Sequence, residues 1–525
     1  MPTAGSSTEQ RSAEERGRPG ARLRARAAAE WRAVQDVGHL LHLRANTVRR
    51  RRTVIGLTVF LVITVGSAVV PAYLPDAGNG DYAFNLLLLM PSAFGGFLLL
   101  ALASAVASGG GRELVPRDQL VAYPVSPTTD HLGALLLAPL NIAWLLQCWL
   151  LLGSAAYAVG SRAFAPVVIG AFAWVLAATA ISQVVAWSIE GLRRMAYGVA
   201  AVRLIATAGL AAVAALQLSH RLGSVLDALP TRWLVIGLLD GFGWGWLLTM
   251  AVLAAILVVA VAVGAVPAHV TARLQPREEL RVESGRYRAR RTTSSDFGAL
   301  LRVDRASVWR AVPMRRGLAV LAVGPGLVSL AGNLPWNQLT ILPGLVASGG
   351  ALLFGVNAWS LETRGALWRE SLPVSPATVF AARAWVLAEF LVVASGITLS
   401  LAVLRAGAPT SAELAALLCT WLVVVLQVVS ASMRWSLRSP YAVDLRSARA
   451  TPAPPLAMVG YSTKLAASTT VTSLVFSGLA ELDAWPLSVL VAAPFVAWSV
   501  LRLLGARDGW VEPPTRARVV MTVAG

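Results

Sequence analysis

The segment RRRRTVIGLTVFLVITVGSAVVPAYLP, residues 49–75, sets four consecutive arginines against an uncharged run that lasts from Val54 to Pro75. A bilayer core about 30 Å thick is crossed by about 20 apolar residues in a helix, so this run is long enough to span. Arginines beside a span resist translocation, which pins the chain before Val54 at the cytoplasmic face. Some fifty polar, arginine-rich residues precede the run, so it reads as a signal anchor and not as a cleaved leader.

The same pattern recurs along the chain. Spans are predicted at roughly 54–75, 84–108, 131–158, 163–188, 196–218 and 243–268, then 317–333, 340–360, 379–404, 411–433, 460–479 and 485–504. Hydrophobic residues make up 56% of the 525 and charged residues 14%, far from the composition of a soluble domain. The net charge of +18 is concentrated between and beside the apolar runs, where it marks cytoplasmic loops; nucleic acid is not the expected partner. Alternating from Arg49, the inside segments hold Arg112 and Arg117, Arg193 and Arg194, the linker from Arg273 to Arg316, Arg364 and Arg369, and Arg434 to Arg449. The outside loops are acidic instead, with Asp76, Asp81, Asp227, Asp240, Glu413, Glu481 and Asp483. The expected fold is therefore an all-α polytopic membrane protein of about twelve transmembrane helices, with both termini inside.

Composition divides the chain further. Residues 1–27 are too polar to bury a core and read as a disordered cytoplasmic tail. Residues 28–268 form a first six-span half, 269–295 a basic linker, 296–505 a second six-span half and 506–525 a cytoplasmic tail. Each half opens on an amphipathic helix. Trp31, Val34, Val37 and Leu41 make one apolar stripe, and Phe297, Leu301, Val308 and Val312 the other, with Arg302, Asp304 and Arg305 expected to face away.

The halves also share motifs. Tyr123-Pro-Val-Ser-Pro127 and Leu372-Pro-Val-Ser-Pro376 each lie between the second and third span of a half. QVVAWSIEGLRR (183–194) and QVVSASMRWSLR (427–438) each close a fourth span. Same order and same orientation define two tandem parallel repeats, related by an axis along the membrane normal. In each PVSP loop, proline stops the preceding element and, after serine, opens the next helix at its first turn.

Catalytic chemistry is poorly represented. A phosphate-binding GxxxxGK[ST] loop needs a lysine, and the one lysine, Lys464 in VGYSTKL, lacks the pattern. His39 and His42 have no completing carboxylate or thiolate, so no metal site is expected. Cys148 and Cys419 fall inside apolar runs and read as small hydrophobes. Ionisable groups within spans need a reason. Arg203, Arg383 and Lys464 sit near cytoplasmic ends and are expected to snorkel. Glu389 is deeper and is the foremost intramembrane candidate, expected to face protein or a water-filled cavity with Arg383 or a polar neighbour as partner. Gln147, Gln183, Asn357 and Gln427 complete the residues that can line a pathway.

The interfacial helix before the first span, the PVSP loop between spans 2 and 3, and the turn Arg438-Ser439-Pro440 together resemble the type-2 ABC exporter permeases of actinobacteria. The resemblance implies that this chain lies in the inner membrane and that a separate ATPase, in two copies, binds ATP and Mg on its behalf. It also implies coupling loops for that ATPase at Arg112, Glu113, Arg117, Asp118, Pro124, Val125, Ser126 and Pro127, and at Glu362, Arg364, Arg369, Glu370, Pro373, Val374, Ser375 and Pro376. The family often carries a re-entrant element between spans 5 and 6; residues 219–242 have room for one, whereas 480–484 do not. A proton-coupled secondary transporter also uses two parallel six-helix repeats and is the alternative expectation. A membrane-embedded transferase acting through Asp76 and Asp81 is a remote one.

Overall fold

The computed structural model describes residues 30–40, 42, 50–107, 125–138, 142–219, 221–274, 293–363, 365–443 and 452–525. Helix accounts for nearly all of them and no strand occurs among them, as lipid requires of a backbone that must satisfy its own hydrogen bonds. Helix α1 covers residues 30–40. It is followed by α2 (Arg50–Val69), α3 (Asp81–Ala107), α4 (Pro127–Leu136), α5 (Ile142–Arg194), α6 (Gly198–Leu218), α7 (Leu222–Asp227), α8 (Thr231–Leu239) and α9 (Trp244–Arg273). The second half holds α10 (Asp296–Arg310), α11 (Val312–Gly332), α12 (Trp336–Leu339), α13 (Ile341–Leu353), α14 (Gly365–Glu370), α15 (Pro376–Ala402), α16 (Ser411–Arg438), α17 (Pro455–Ala480), α18 (Trp485–Val511) and α19 (Pro513–Ala524).

Eight helices among the described residues are long and apolar enough to cross a bilayer, or nine with the bent pair α10–α11. The protein is a multi-pass, all-α membrane protein. The difference from twelve has local causes. Two expected spans, 131–158 and 163–188, are joined in α5 without a polar loop. In the first run only Leu61–Tyr73 stands out as an apolar helix. Helix α17 has the length of a span, but serines and threonines such as Ser462, Thr469, Thr472 and Ser473 dilute it.

Helix α5 is broken at Gly160, whose φ of +65° belongs to the left-handed region. On the first arm Trp144 Nε1 donates to Thr179 Oγ1 of the second at 2.7 Å. In one straight helix these residues would stand about 50 Å apart, so the two arms fold back side by side. A Cβ at Gly160 would come within 2.8 Å of the Ala77 carbonyl oxygen, and the neighbouring Gly78 N–H donates to the Tyr157 carbonyl at 3.0 Å. The second half builds the matching pair from separate helices. There Trp421 Nε1 of α16 donates to Ser395 Oγ of α15 at 2.7 Å, and a capping box of Thr410 and Glu413 opens α16.

Each half has its own core. Phe94, Leu152, Val175, Leu238 and Leu253 anchor the first, and Phe354, Leu387, Leu391, Val428 and Met433 the second. The halves meet where α3 and α6 touch α11 and α5 touches α17. Between α6 and α9, the short helices α7 and α8 fill the place expected for a re-entrant element, and α8 buries Leu234, Val235 and Leu238 against α3, α5 and α9. The second half has no counterpart, since α17 ends at Ala480 and α18 begins at Trp485.

The helices expected at the interface are rotated from expectation. Helix α10 meets α11 at 83°, and its buried stripe is Leu300, Asp304 and Val308. Asp304 therefore faces the core and not away from it. On α1 the buried residues are Ala33, Val37 and Leu40, while Trp31 and Val34 are exposed.

Gly160→Val forces a branched side chain into a left-handed position against the Ala77 carbonyl. A loss of about 1–3 kcal/mol is expected, read as a lower melting temperature by size-exclusion after heating in detergent; an unchanged melting curve would refute the fold-back geometry.

Candidate functional site

Both PVSP motifs act as helix N-caps. Ser126 Oγ accepts from the Thr129 N–H at 3.0 Å and shares a hydroxyl hydrogen bond with Thr129 at 2.7 Å. Ser375 does the same with Thr378, at 3.1 and 2.7 Å. Pro127 and Pro376 occupy the first turn of α4 and α15, where a missing N–H costs nothing. Val125 packs with Val37 and Leu40 of α1, and Val374 packs on the second core. Each loop is thus tied into its own half by an apolar contact. Arg112, Glu113, Arg117, Asp118, Pro124 and Arg364 lie outside the described residues.

The second loop is held by a buried ion cluster. Asp304, fully buried on α10, receives Arg369 Nη2 of α14 at 3.1 Å and Arg383 of α15 through Nε at 3.0 Å and Nη2 at 3.1 Å. Glu362 pairs with both Arg369 and Arg383, and Arg383 also donates to the Ala358 carbonyl. Arg383 is therefore not snorkelling: its side chain is fully buried, because two carboxylates compensate it where water cannot. Burial, with the neighbouring Arg383 charge adding to it, lowers the Arg369 guanidinium to about 10, against the opposing pull of Asp304. It remains a cation at neutral pH.

An aromatic layer closes the cluster. Trp359 and Trp510 stack with ring centroids 3.7 Å apart and planes 2° from parallel, and Arg383 lies 5.4 Å from the Trp359 centroid on a cation–π contact. Trp510 Nε1 donates to the carbonyl of Pro376, the last residue of the second PVSP motif, at 3.1 Å. The residues expected to form a tail are helical: α19 lies on α14 and buries Val519, Val520 and Val523, with Arg516 Nε on Glu370 at 2.9 Å. The space left between Trp359, Glu362, Arg369, Glu370 and Trp510 is about 10 Å³, room for no more than a water. This is a joint and not a ligand pocket.

The candidate pathway residues each have their own local setting. Glu389 pairs with Arg305 of α10 at 2.7 Å, not with Arg383, and is a third exposed. Arg383 is already committed to Asp304 and Glu362. Asn357 is buried and donates to the carbonyls of Tyr441 at 2.8 Å and Pro452 at 3.0 Å, a clamp on the loop after α16. Gln427 accepts from Thr472 at 3.2 Å, Gln183 is buried, and Gln147 is half-buried on the first arm of α5. A larger hollow of about 440 Å³ lies elsewhere, between α8 and α9, lined by Trp233, Ile236, Asp240, Leu248 and Thr249.

No known protein family, curated protein or solved structure matches this chain. Its own geometry carries the functional reading.

Asp304, Trp359 and Trp510 are the residues that the sequence leaves unmarked. The available signal is an acid in register with Leu300 and Val308, at i+4 and i−4 on one helical face.

Asp304→Asn removes the shared carboxylate between two buried guanidiniums and is expected to cost about 3–5 kcal/mol. Glu389→Gln breaks a partly exposed pair and is expected to cost about 1 kcal/mol or less. Thermal melts of the two variants in one detergent check the order; equal losses would show that the Asp304 cluster does not hold the joint.

Proposed function

We propose that this chain is the transmembrane permease of an ATP-driven exporter of the type-2 ABC class, energised by a separately encoded ATPase that docks on its two cytoplasmic PVSP loops. The observation that carries the reading is the second loop's construction. Helix α14 and the Ser375 cap are fastened by Asp304, Glu362, Arg369 and Arg383 to the foot of α15, a helix of membrane length. A short helix fixed rigidly to the end of a span transmits displacement to that span, because packed cores shift between discrete arrangements more readily than they deform.

In this reading the chain has twelve spans in two parallel six-helix repeats, lies in the inner membrane with both termini inside, and offers one docking loop per half to two ATPase copies. The arginine distribution and the duplicated Ser-Pro caps support it. ATP and Mg belong to the partner; this chain contributes the loops, the joint and the pathway. The Arg305–Glu389 pair weighs against proton coupling, since Glu389, midway along α15, is already engaged by a cation.

Replacing both PVSP loops with Gly-Ser linkers should abolish co-purification of the ATPase while the chain still runs as a single species on size-exclusion. Retained ATPase binding would sink the proposal. Glu389→Gln should leave the pH dependence of transport unchanged in proteoliposomes supplied with ATP; loss of that dependence would favour a proton-coupled carrier.

A further inference from the structure

The two QVV segments match at their ends but carry opposite charge at one position, Glu190 against Arg434. Residue 190 of the first corresponds to 434 of the second, and 194 to 438. In the first half the acid at this place, Glu190, is buried among arginines: Arg193 at 2.9 Å, Arg194 at 3.4 Å and Arg316 from α11 at 3.4 Å. Three cations converge there and an internal carboxylate compensates them.

In the second half the acid is replaced by Arg434. It shares one face of α16 with Arg438, one turn on. Arg502 belongs to α18, which packs along α16 with Cys419 and Val423 at the level of Val491 to Val496, so the same register carries Arg502 towards Arg434. Among the described residues none of these three arginines has an ion-pair partner, and the Arg502 Nε is buried with no hydrogen-bond acceptor. Arg434 and Arg502 are half-buried, so water screens them only in part. Arg518 of α19 closes one side of the group by donating to the Leu437 carbonyl at 2.9 Å. A set of guanidiniums on one side of two packed helices, without a carboxylate partner among the described residues, is the donor arrangement that binds phosphate oxygens.

The surroundings choose the form in which phosphate arrives. The group lies towards the ends of α16 and α18, both membrane-length helices, on the side where the arginine-rich loops lie. One turn before Arg502, and so deeper along α18, Trp498 is 64% exposed, and Leu501 beside it is equally so. Apolar surface next to cationic surface, in that order along a span, suits a ligand with an acyl chain and a charged head. We propose that Arg434, Arg438 and Arg502 form a binding site for the phosphate of an anionic phospholipid, in the leaflet that faces the arginine-rich loops. The site requires a multi-pass membrane protein and does not depend on how transport is energised.

The test compares lipid retention by the full chain in neutral detergent, using native mass spectrometry with phosphatidylglycerol or phosphatidylcholine added. The intact chain should retain phosphatidylglycerol over phosphatidylcholine by about tenfold, as expected for a few interfacial charges. Arg434→Glu restores the arrangement of the first half and should remove most of that preference without lowering the melting temperature in lipid-free detergent. Arg502→Gln provides a second readout if Arg434→Glu fails to fold, and should weaken the preference severalfold. Equal retention of the two lipids by the intact chain, or an undiminished preference in the variants, would overturn the site. Equal thermal protection by inorganic phosphate at the same concentration would overturn the lipid as its occupant.

Discussion

A single carboxylate, that of Asp304, organises one end of the second half. Two guanidiniums from different helices converge on it, and Glu362 brings the buried cluster to two positive and two negative groups. Buried charges are tolerated only when paired and hydrogen-bonded, so the positions of α10, α14 and α15 are mutually dependent. No one of these elements can shift without exposing a charge to an apolar surround. The stack of Trp359 on Trp510 and the Trp510 bond to Pro376 extend that dependence to α18, and the Arg516–Glu370 pair extends it to α19.

The two halves share their local devices and differ in what those devices meet. Both begin the helix after PVSP with a serine cap, and both join an antiparallel helix pair by a tryptophan indole donating to a hydroxyl. Only the first half inserts α7 and α8, and only the first keeps an acid at the end of its QVV segment. The first half is thereby broadened by α8 against three helices, while the turn of the second, from Ala480 to Trp485, is tight. Any axis relating the halves is therefore local to the shared helices.

How much was legible follows from how local each cause is. The Ser-Pro caps could be read directly, because a hydroxyl and a fixed φ act on the next three residues and nothing else. Room for an element within 219–242 was visible from chain length alone. The Asp304 cluster was not, since its partners lie 65 and 79 residues away and an acid on an amphipathic helix is normally assigned to water. The burial of Arg383 is hidden for the same reason: its place near a helix start fits snorkelling, and the acid that holds it lies on another helix. Glu389 went to Arg305 because α10 crosses α15 with Asp304 and Arg305 adjacent, so one helix serves two levels of the other. The bend between α10 and α11, which makes this possible, depends on tertiary contacts that hydrophobic periodicity does not encode.

The fold-back at Gly160 has a consequence for how the chain is made. The arms of α5 meet with scarcely any hydrophilic connection, so a translocation channel has almost no polar segment to pass across the bilayer there. Exposed Arg162, two residues beyond the turn, is the one nearby charge to carry through. The pair therefore enters as one helical hairpin: the second arm cannot wait in solvent for the first, and the Trp144–Thr179 bond forms between segments that reach the lipid together. The glycine that turns α5 thereby also sets both arms beside α3, which precedes them in the chain.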